Sequence, residues 1–378
     1  MIADYEKKWA EEFLSKCEEK IDSVMGDIHK DYPYSTIDGK YDNMNMFPFS
    51  WTSGFWGGMM WLLYLETGKK KYMDRAIICS ERTNQAFSDP KNFNCLDNHD
   101  LGFVFLPTSV AHYRICGDDN ARIRGLHAAT ILAGRFNLNG RYIRAWRNGI
   151  ISPETKGYAI IDCLLNLPLL YWASEVYDDV RFKAVAVAHA DTVLKEFVKS
   201  DGSVYHIVNF DTETGAVKGY PAGQGYASGS SWSRGQAWAV YGFIMSYIHT
   251  RDERYLNASK RAADYIIANF GDDKLAPIDY MQPREPKAFD ASANAITASA
   301  MLELAKYCDE QEKYTAFALK LLHGVYDDCD FGLDNQAIVQ SCSEKYHESK
   351  HHIPLIYADY FLIEALMKIT GKSDYFMW

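Results

Sequence analysis

The chain has no C-x-x-C pair, no long basic run, no apolar stretch of membrane-spanning length and no Pro- or Ser-rich linker. Each absence excludes something. Cys17, Cys79, Cys95, Cys116, Cys163, Cys308, Cys329 and Cys342 are scattered, several inside apolar helical patterns, so they read as small hydrophobes in a reduced protein. Neither a disulfide framework nor a zinc site is expected. A net charge of −10 without a basic run argues against nucleic acid or an anionic membrane as partner. An anionic small substrate stays open, since a few cationic side chains can hold one against the overall charge. The N-terminal MIADYEKKWAEEFLSKCEEK lacks the apolar core of a signal peptide, and the apolar segments near 54–65 and 158–173 are too short or interrupted to cross a bilayer. The expectation is a soluble, cytoplasmic protein, a monomer or weak homo-oligomer. No P-loop, dinucleotide fingerprint or G-x-S-x-G occurs, and no cofactor is expected. With no linker to divide it, the chain reads as one domain over residues 1–378.

What is abundant is aromatic: 26 Tyr, 19 Phe and 9 Trp, enough to furnish a core and also to stack on sugar rings. A weak period runs through the chain. Six times an apolar helical run ends in a short polar turn, and an aromatic or Arg residue opens a second helix. The anchors Tyr72, Arg122, Phe182, Tyr255, Tyr314 and Tyr375 are spaced by 50, 60, 73, 59 and 61 residues. Gly and Asp in the turns suit a helix C-cap followed by an N-cap, so each unit reads as a helix hairpin. The first helix of each hairpin is unusually apolar (GFWGGMMWLLYL, SSWSRGQAWAVYGFIMSYI, ADYFLIEALMKI). A helix apolar nearly all round must be buried. An inner ring wrapped by an outer ring meets that demand and predicts an all-α fold, an (α/α)6 barrel. Ser203–Phe210 reads as a loop hairpin.

Asp162 stands in YAIIDCLLNLPLLYWA (158–173), where only it and Asn166 carry polar side chains able to face a substrate. Read as a helix, the four-residue spacing puts both on one face. An ionised carboxylate there is costly unless paired, and otherwise its pKa rises. A carboxylic acid still protonated near neutral pH is what a general acid needs. A buried Asp satisfied by a cap or an Arg partner is the plainer alternative, and the segment alone leaves both open. LDNHDLGF (96–103) supplies a second acid, Asp100, beside His99, with Gly102 permitting close backbone approach. Asp97 and Asp100 equally suit a helix cap, and the His and Asp spacing matches no metal motif.

From Gln224 a Gly/Ser loop runs into a helix carrying Arg234 and Trp238 at i, i+4. A guanidinium fork beside an indole suits a carboxylated sugar. A core helix with a snorkelling Arg is the alternative. His206 is a lone His, for which a structural role is the simpler reading. Trp51 opens an inner-type helix, where core packing explains Trp56 better than Trp51. Lys345, His347, Lys350, His351 and His352 form a basic patch that reads as a solvated loop, and no third ligand joins His347 and His351, so no metal is expected.

Together these segments resemble the unsaturated glucuronyl hydrolases of glycoside hydrolase family 88. The matching stretches are SWTSGFWGG (50–58), LDNHDLGF (96–103), IIDCLLNLPLL (160–170), YHIVNFDTETG (205–215), SSWSRGQAWAVYGF (230–243) and YADYFLIEAL (357–366). The resemblance implies an (α/α)6 barrel that releases a terminal 4,5-unsaturated uronic acid from oligosaccharides left by polysaccharide lyases. It makes Asp162 the general acid and base and Asp100 the second essential carboxylate. His206, Gln224 and Arg234 would hold the uronic acid, and Trp51, Trp146 and Trp238 would wall the pocket. His99, Asn166 and Lys350 complete the implied substrate-binding set. The implied chemistry protonates C4 of the enol ether, unlike ordinary glycoside hydrolysis with carboxylates flanking the scissile bond.

Departures from the family pattern are Asn98 for a His, Arg144 for a Gln, and Tyr357-Ala358 for Trp-Gly. Of a Ser/Ser/Lys set that binds sulfate in some streptococcal members, Lys350 alone matches. An unsaturated rhamnogalacturonyl hydrolase acting on pectin fragments, a silent sugar-binding toroid and an epimerase-like relative are the competing readings. The presence of both Asp100 and Asp162 weighs against silence.

Overall fold

The computed structural model describes residues 2–28, 32–42, 49–89, 92, 94–146, 153–347, 350–371 and 377–378. Its inner helices are Phe55–Thr67, Pro168–Tyr177, Ser233–Thr250, Ala291–Leu304 and Ile356–Thr370. A composite inner segment runs from Leu101–Phe105 through a π turn, Leu106–Val110, to Ala111–Cys116. Every residue of Ala291–Leu304 is buried, and so is every residue from Ser233 to Ser246. The outer helices are amphipathic instead. Lys70–Arg82 buries Tyr72, Ala76 and Ser80 and leaves its charged residues outside. This division follows from the sequence: helices apolar all round have nowhere to go but the inner ring.

Several of the turns form as the Gly and Asp spacing predicts, while the helices opening at Lys70 and Gln311 start without a side-chain cap. Gly68 and Gly117 end their helices in the left-handed region at φ 68° and 72°. The next helices begin on Asp118, Asp179 and Asp252, whose carboxylates accept the N–H of Ala121, Arg181 and Arg254.

The sixth pair differs from expectation. Tyr375 lies outside the described residues, and the helix covering Ile356–Thr370 is Asp4–Val24, from the other end of the chain. Its apolar stripe of Ala10, Phe13, Leu14, Cys17, Ile21 and Val24 is buried. Ile356–Thr370 also packs on Phe55–Thr67, so the inner ring closes on itself. Among the described residues no helix is long and apolar enough to cross a membrane.

Two further corrections bear on the site. Residues 158–173 are not one inner helix. They divide into a strand, Tyr158–Ile160, a 3-10 turn, Ile161–Leu165, and an α-helix beginning at Pro168. Proline has no N–H to donate and fits the first position of a helix, so the helix starts there and the preceding turn is separate. Nor is Ser203–Phe210 a self-contained hairpin. Ile207–Phe210 is the middle strand of a three-stranded antiparallel sheet, pairing Ile160 with Ile207 on one side and Phe210 with Val217 on the other.

Candidate active site

That strand pairing brings Asp162 to His206. The Ile161 N–H donates to the His206 carbonyl at 3.0 Å, and Asp162 Oδ1 then lies 3.9 Å from His206 Nε2. Asp100 reaches the same place from another element, just ahead of the helix Leu101–Phe105, with its own N–H bound to Asn98 Oδ1 at 2.7 Å. Asn98 in turn bridges to Trp146. The two carboxyls face one cleft of about 180 Å³ whose walls include Trp51, Trp146, Trp232 and Ile160. His99, His206, Gln224 and Arg234 complete its lining. A larger concavity of about 440 Å³ near Arg122 and Phe182 gathers no carboxylate.

Burial governs the electrostatics. It pushes the Asp162 carboxyl up to about 7, against the pull of Arg234 and of its own backbone N–H. Among the described residues Asp162 Oδ1 has no hydrogen-bond partner. Asp100 is raised well above the ordinary carboxylate range by burial first and by the Asp162 charge second, while Arg135 and a hydrogen bond from Asn166 oppose the shift. Two carboxyls in one cleft resist joint ionisation, so the pair retains a proton near neutral pH. Burial, Arg135, His189 and His206 drive His99 well below its usual range, and its Nε2 sits 3.6 Å from Asp100 Oδ1. His206 is lowered to about 3, chiefly by burial.

His206 is held on both faces. Its ring tilts over Trp232 at 4.3 Å between centroids, and Nδ1 accepts the Gln224 N–H at 3.0 Å. Gly223, at φ +62°, makes that approach possible: a Cβ there would stand 2.1 Å from His206 Nδ1. Gln224 itself donates through Nε2 to the Glu344 carbonyl at 2.7 Å. The Arg234 guanidinium lies 4.5 Å over the Trp232 ring and 5.4 Å from the Tyr357 ring. Burial works against its charge, but Tyr357, Asp290 and Asp162 outweigh it and hold its pKa above the ordinary value.

Three expected residues lie elsewhere. Trp238 is fully buried, packed on Phe103 at 5.1 Å and Phe361 at 5.5 Å, and does not line the cleft. Its helical spacing from Arg234 is real, but its ring packs into the core a turn below the cleft, and the indole beside Arg234 is Trp232. Asn166 is fully buried behind the carboxyls. Its Oδ1 accepts the Phe103 N–H at 2.8 Å and its Nδ2 donates to the Asp162 carbonyl at 3.1 Å. Gly102 permits this contact, since a Cβ would meet Asn166 Cα at 2.5 Å. Lys350 is two-thirds exposed, 4.0 Å from Glu344 Oε1 and outside the lining.

Trp232, Ile160 and Asp290 carry parts of the site that sequence reasoning missed. Trp232 sits one residue before the helix Ser233–Thr250, in extended backbone, where helical spacing does not apply. Asp290 gives the signal of a helix N-cap, but nothing local links it to Arg234.

Known proteins share this fold. The Glycosyl Hydrolase Family 88 model matches residues 20–361. An unsaturated glucuronyl hydrolase of Bacillus sp. (strain GL1) is 36% identical over 343 residues, 86% of this chain and 88% of that protein. An unsaturated chondroitin disaccharide hydrolase of Streptococcus pneumoniae (strain ATCC BAA-255 / R6) is 28% identical, covering 79% of this chain and 80% of its own. The crystal structure of unsaturated glucuronyl hydrolase from Streptococcus agalactiae superposes with a TM-score of 0.89 at 29% identity, over 100% of this chain and 95% of that one. The Bacillus sp. GL1 structure gives 0.87 at 31% identity, over 93% and 94%. By sequence and by fold, the chain belongs to glycosyl hydrolase family 88.

Proposed function

We propose that the enzyme releases a non-reducing terminal 4,5-unsaturated glucuronic acid from lyase-generated oligosaccharides of the glycosaminoglycan type. The observation that carries this reading is Asp162: partly buried, raised to about 7, and with a shielded carboxyl oxygen unpartnered among the described residues, in a cleft that also holds a buried arginine. A group with that pKa can give a proton and take one back at neutral pH, which is what hydration of a double bond requires.

The step begins with Asp162 donating its proton to C4 of the enol ether, which leaves oxocarbenium character on C5 and the ring oxygen. Asp162, now a carboxylate, draws a proton from the water that attacks C5. The hemiketal so formed opens to a ketone at C5, and the hemiacetal exposed at C1 expels the leaving sugar. Arg234 binds the sugar carboxylate, and neutral His206 and Gln224 fix its orientation. Trp51, Trp146 and Trp232 offer faces to the rings. Asp162, once ionised, keeps its neighbour Asp100 protonated. Asn166 holds the backbone of both acidic segments from behind.

The test is to incubate the protein with unsaturated disaccharides from chondroitin, hyaluronan, heparin and pectin and follow loss of the ultraviolet absorbance of the conjugated double bond. Decay is expected with one or more of the first three. No decay with any overturns the reading, and decay with the pectin disaccharide alone moves the substrate to that class.

We also read residues 1–378 as one catalytic domain in the cytoplasm. The family match over residues 20–361 supports the first, and eight free thiols support the second.

A further inference from the structure

Asp290 lies outside the cleft, fully buried, at the start of the inner helix Ala291–Leu304. An N-cap needs one acceptor oxygen, and serine or asparagine would serve. Asp290 uses both of its oxygens. Oδ1 accepts from the Ser292 N–H at 3.2 Å, from the Ser292 hydroxyl, and from the Ser343 N–H at 3.3 Å. Oδ2 accepts from Arg234 Nη1, closing an ion pair in which both side chains are shielded from solvent. Only a carboxylate can cap the helix with one oxygen and neutralise a buried guanidinium with the other.

The remaining contacts of Arg234 also run through its two Nη atoms, and Nη1 donates to the Ser292 hydroxyl at 3.3 Å. Nη1 also donates to the Ser343 carbonyl at 2.8 Å, and Nη2 donates to the Glu344 carbonyl at 2.8 Å. That leaves Nε–H and the second Nη2–H with no acceptor among the described residues. These two donors form the parallel pair that takes a carboxylate bidentately. The guanidinium cannot swing away, because Asp290 is itself locked to the helix start and to the Ser343 backbone.

We propose that Asp290 is a positioning residue that sets substrate specificity: by gripping the far edge of Arg234 it presents the Nε–Nη2 edge to the cleft and so selects a sugar with a free carboxylate over its neutral ester. The inference deepens the function proposed above and rests on a uronic acid occupying the cleft.

The test compares wild type, Asp290→Asn and Asp290→Glu on an unsaturated disaccharide and on the carboxyl methyl ester of the same sugar. In both variants KM for the free acid is expected to rise by about tenfold or more, with kcat for the ester changed by less than about threefold. The acid-over-ester preference thus falls by about tenfold. Asp290→Asn leaves a buried cation without its counterion and is the variant that can lose its fold. Asp290→Glu keeps the charge but displaces the guanidinium, and it carries the test alone in that event. Acid and ester activities falling together, as general loosening would produce, overturn the proposal, as does an unchanged preference. Wild type that turns over neither sugar defeats the reading of the cleft itself, before any variant is compared.

Discussion

His206 presents Nε2 to Asp162 Oδ1 at 3.9 Å while its Nδ1 accepts the backbone N–H of Gln224 at 3.0 Å. A backbone N–H only donates, so Nδ1 is the bare nitrogen and the imidazole proton sits on Nε2, facing the acid. With its pKa lowered to about 3, His206 stays neutral through the working range. It is a fixed dipole beside the carboxyl rather than a counterion.

Gly223 is the hinge of that arrangement. At φ +62° it leaves no room for a side chain, since a Cβ would come within 2.1 Å of His206 Nδ1. Gly223→Ala therefore strains the loop and pushes the ring aside. We expect kcat/KM to fall by about tenfold or more. In a His206→Ala background the same change should cost less, because the ring it collides with is gone. A double-mutant cycle measures the difference, and equal costs in both backgrounds would refute the coupling.

In the proposed mechanism Asp162 must be protonated to act. Asp162 is raised from 3.8 to about 7, so kcat/KM should be level below about pH 7 and fall above it as the proton is lost. His206, neutral down to about pH 3, contributes no limb in the ordinary histidine range. An activity already falling at pH 5 as pH rises would contradict the assignment.

The same shift predicts a stability effect. The folded state holds the Asp162 proton up to about pH 7, whereas the unfolded chain loses it near 3.8. Stability therefore declines as pH rises between those values, and the loss is complete above about 7. Asp162→Asn should abolish turnover while raising stability at pH 8 by roughly 2–4 kcal/mol, with the gain vanishing near pH 4. Denaturant unfolding at the two pH values checks it. A gain of equal size at both would mean that the effect is not titration.

Trp232 and Trp238 should separate cleanly. Trp238 packs on Phe103 and Phe361 in the core, so Trp238→Phe is expected to lower stability by about 1–3 kcal/mol with KM little changed. Trp232 carries Arg234 and His206 on its ring, so Trp232→Phe should raise KM. The opposite pattern would return the wall of the cleft to Trp238.

Much of the molecule was legible in the sequence. The apolar helices alternate with amphipathic ones, and Gly–Asp turns mark the hairpins. These are local properties, and burial of the first set inside the second follows from them without further information. Asp162 was conspicuous for the same reason: a charge among apolar residues is costly wherever the chain puts it. The sequence could not show that Asp4–Val24 covers Ile356–Thr370, since no local pattern records contacts between residues hundreds apart. Nor could it show that residues 158–173 break into strand, turn and helix, because the break depends on pairing with Ile207–Phe210. Helical spacing correctly put Arg234 and Trp238 on one face, but only the packed ring decided that Arg234 lines the cleft while Trp238 sits in the core. Tertiary structure alone set Trp232 under Arg234, Asp290 behind it and His206 beside Asp162. That Asp162 was a candidate was written in its neighbours along the chain; its pKa and its partners were decided by neighbours in space.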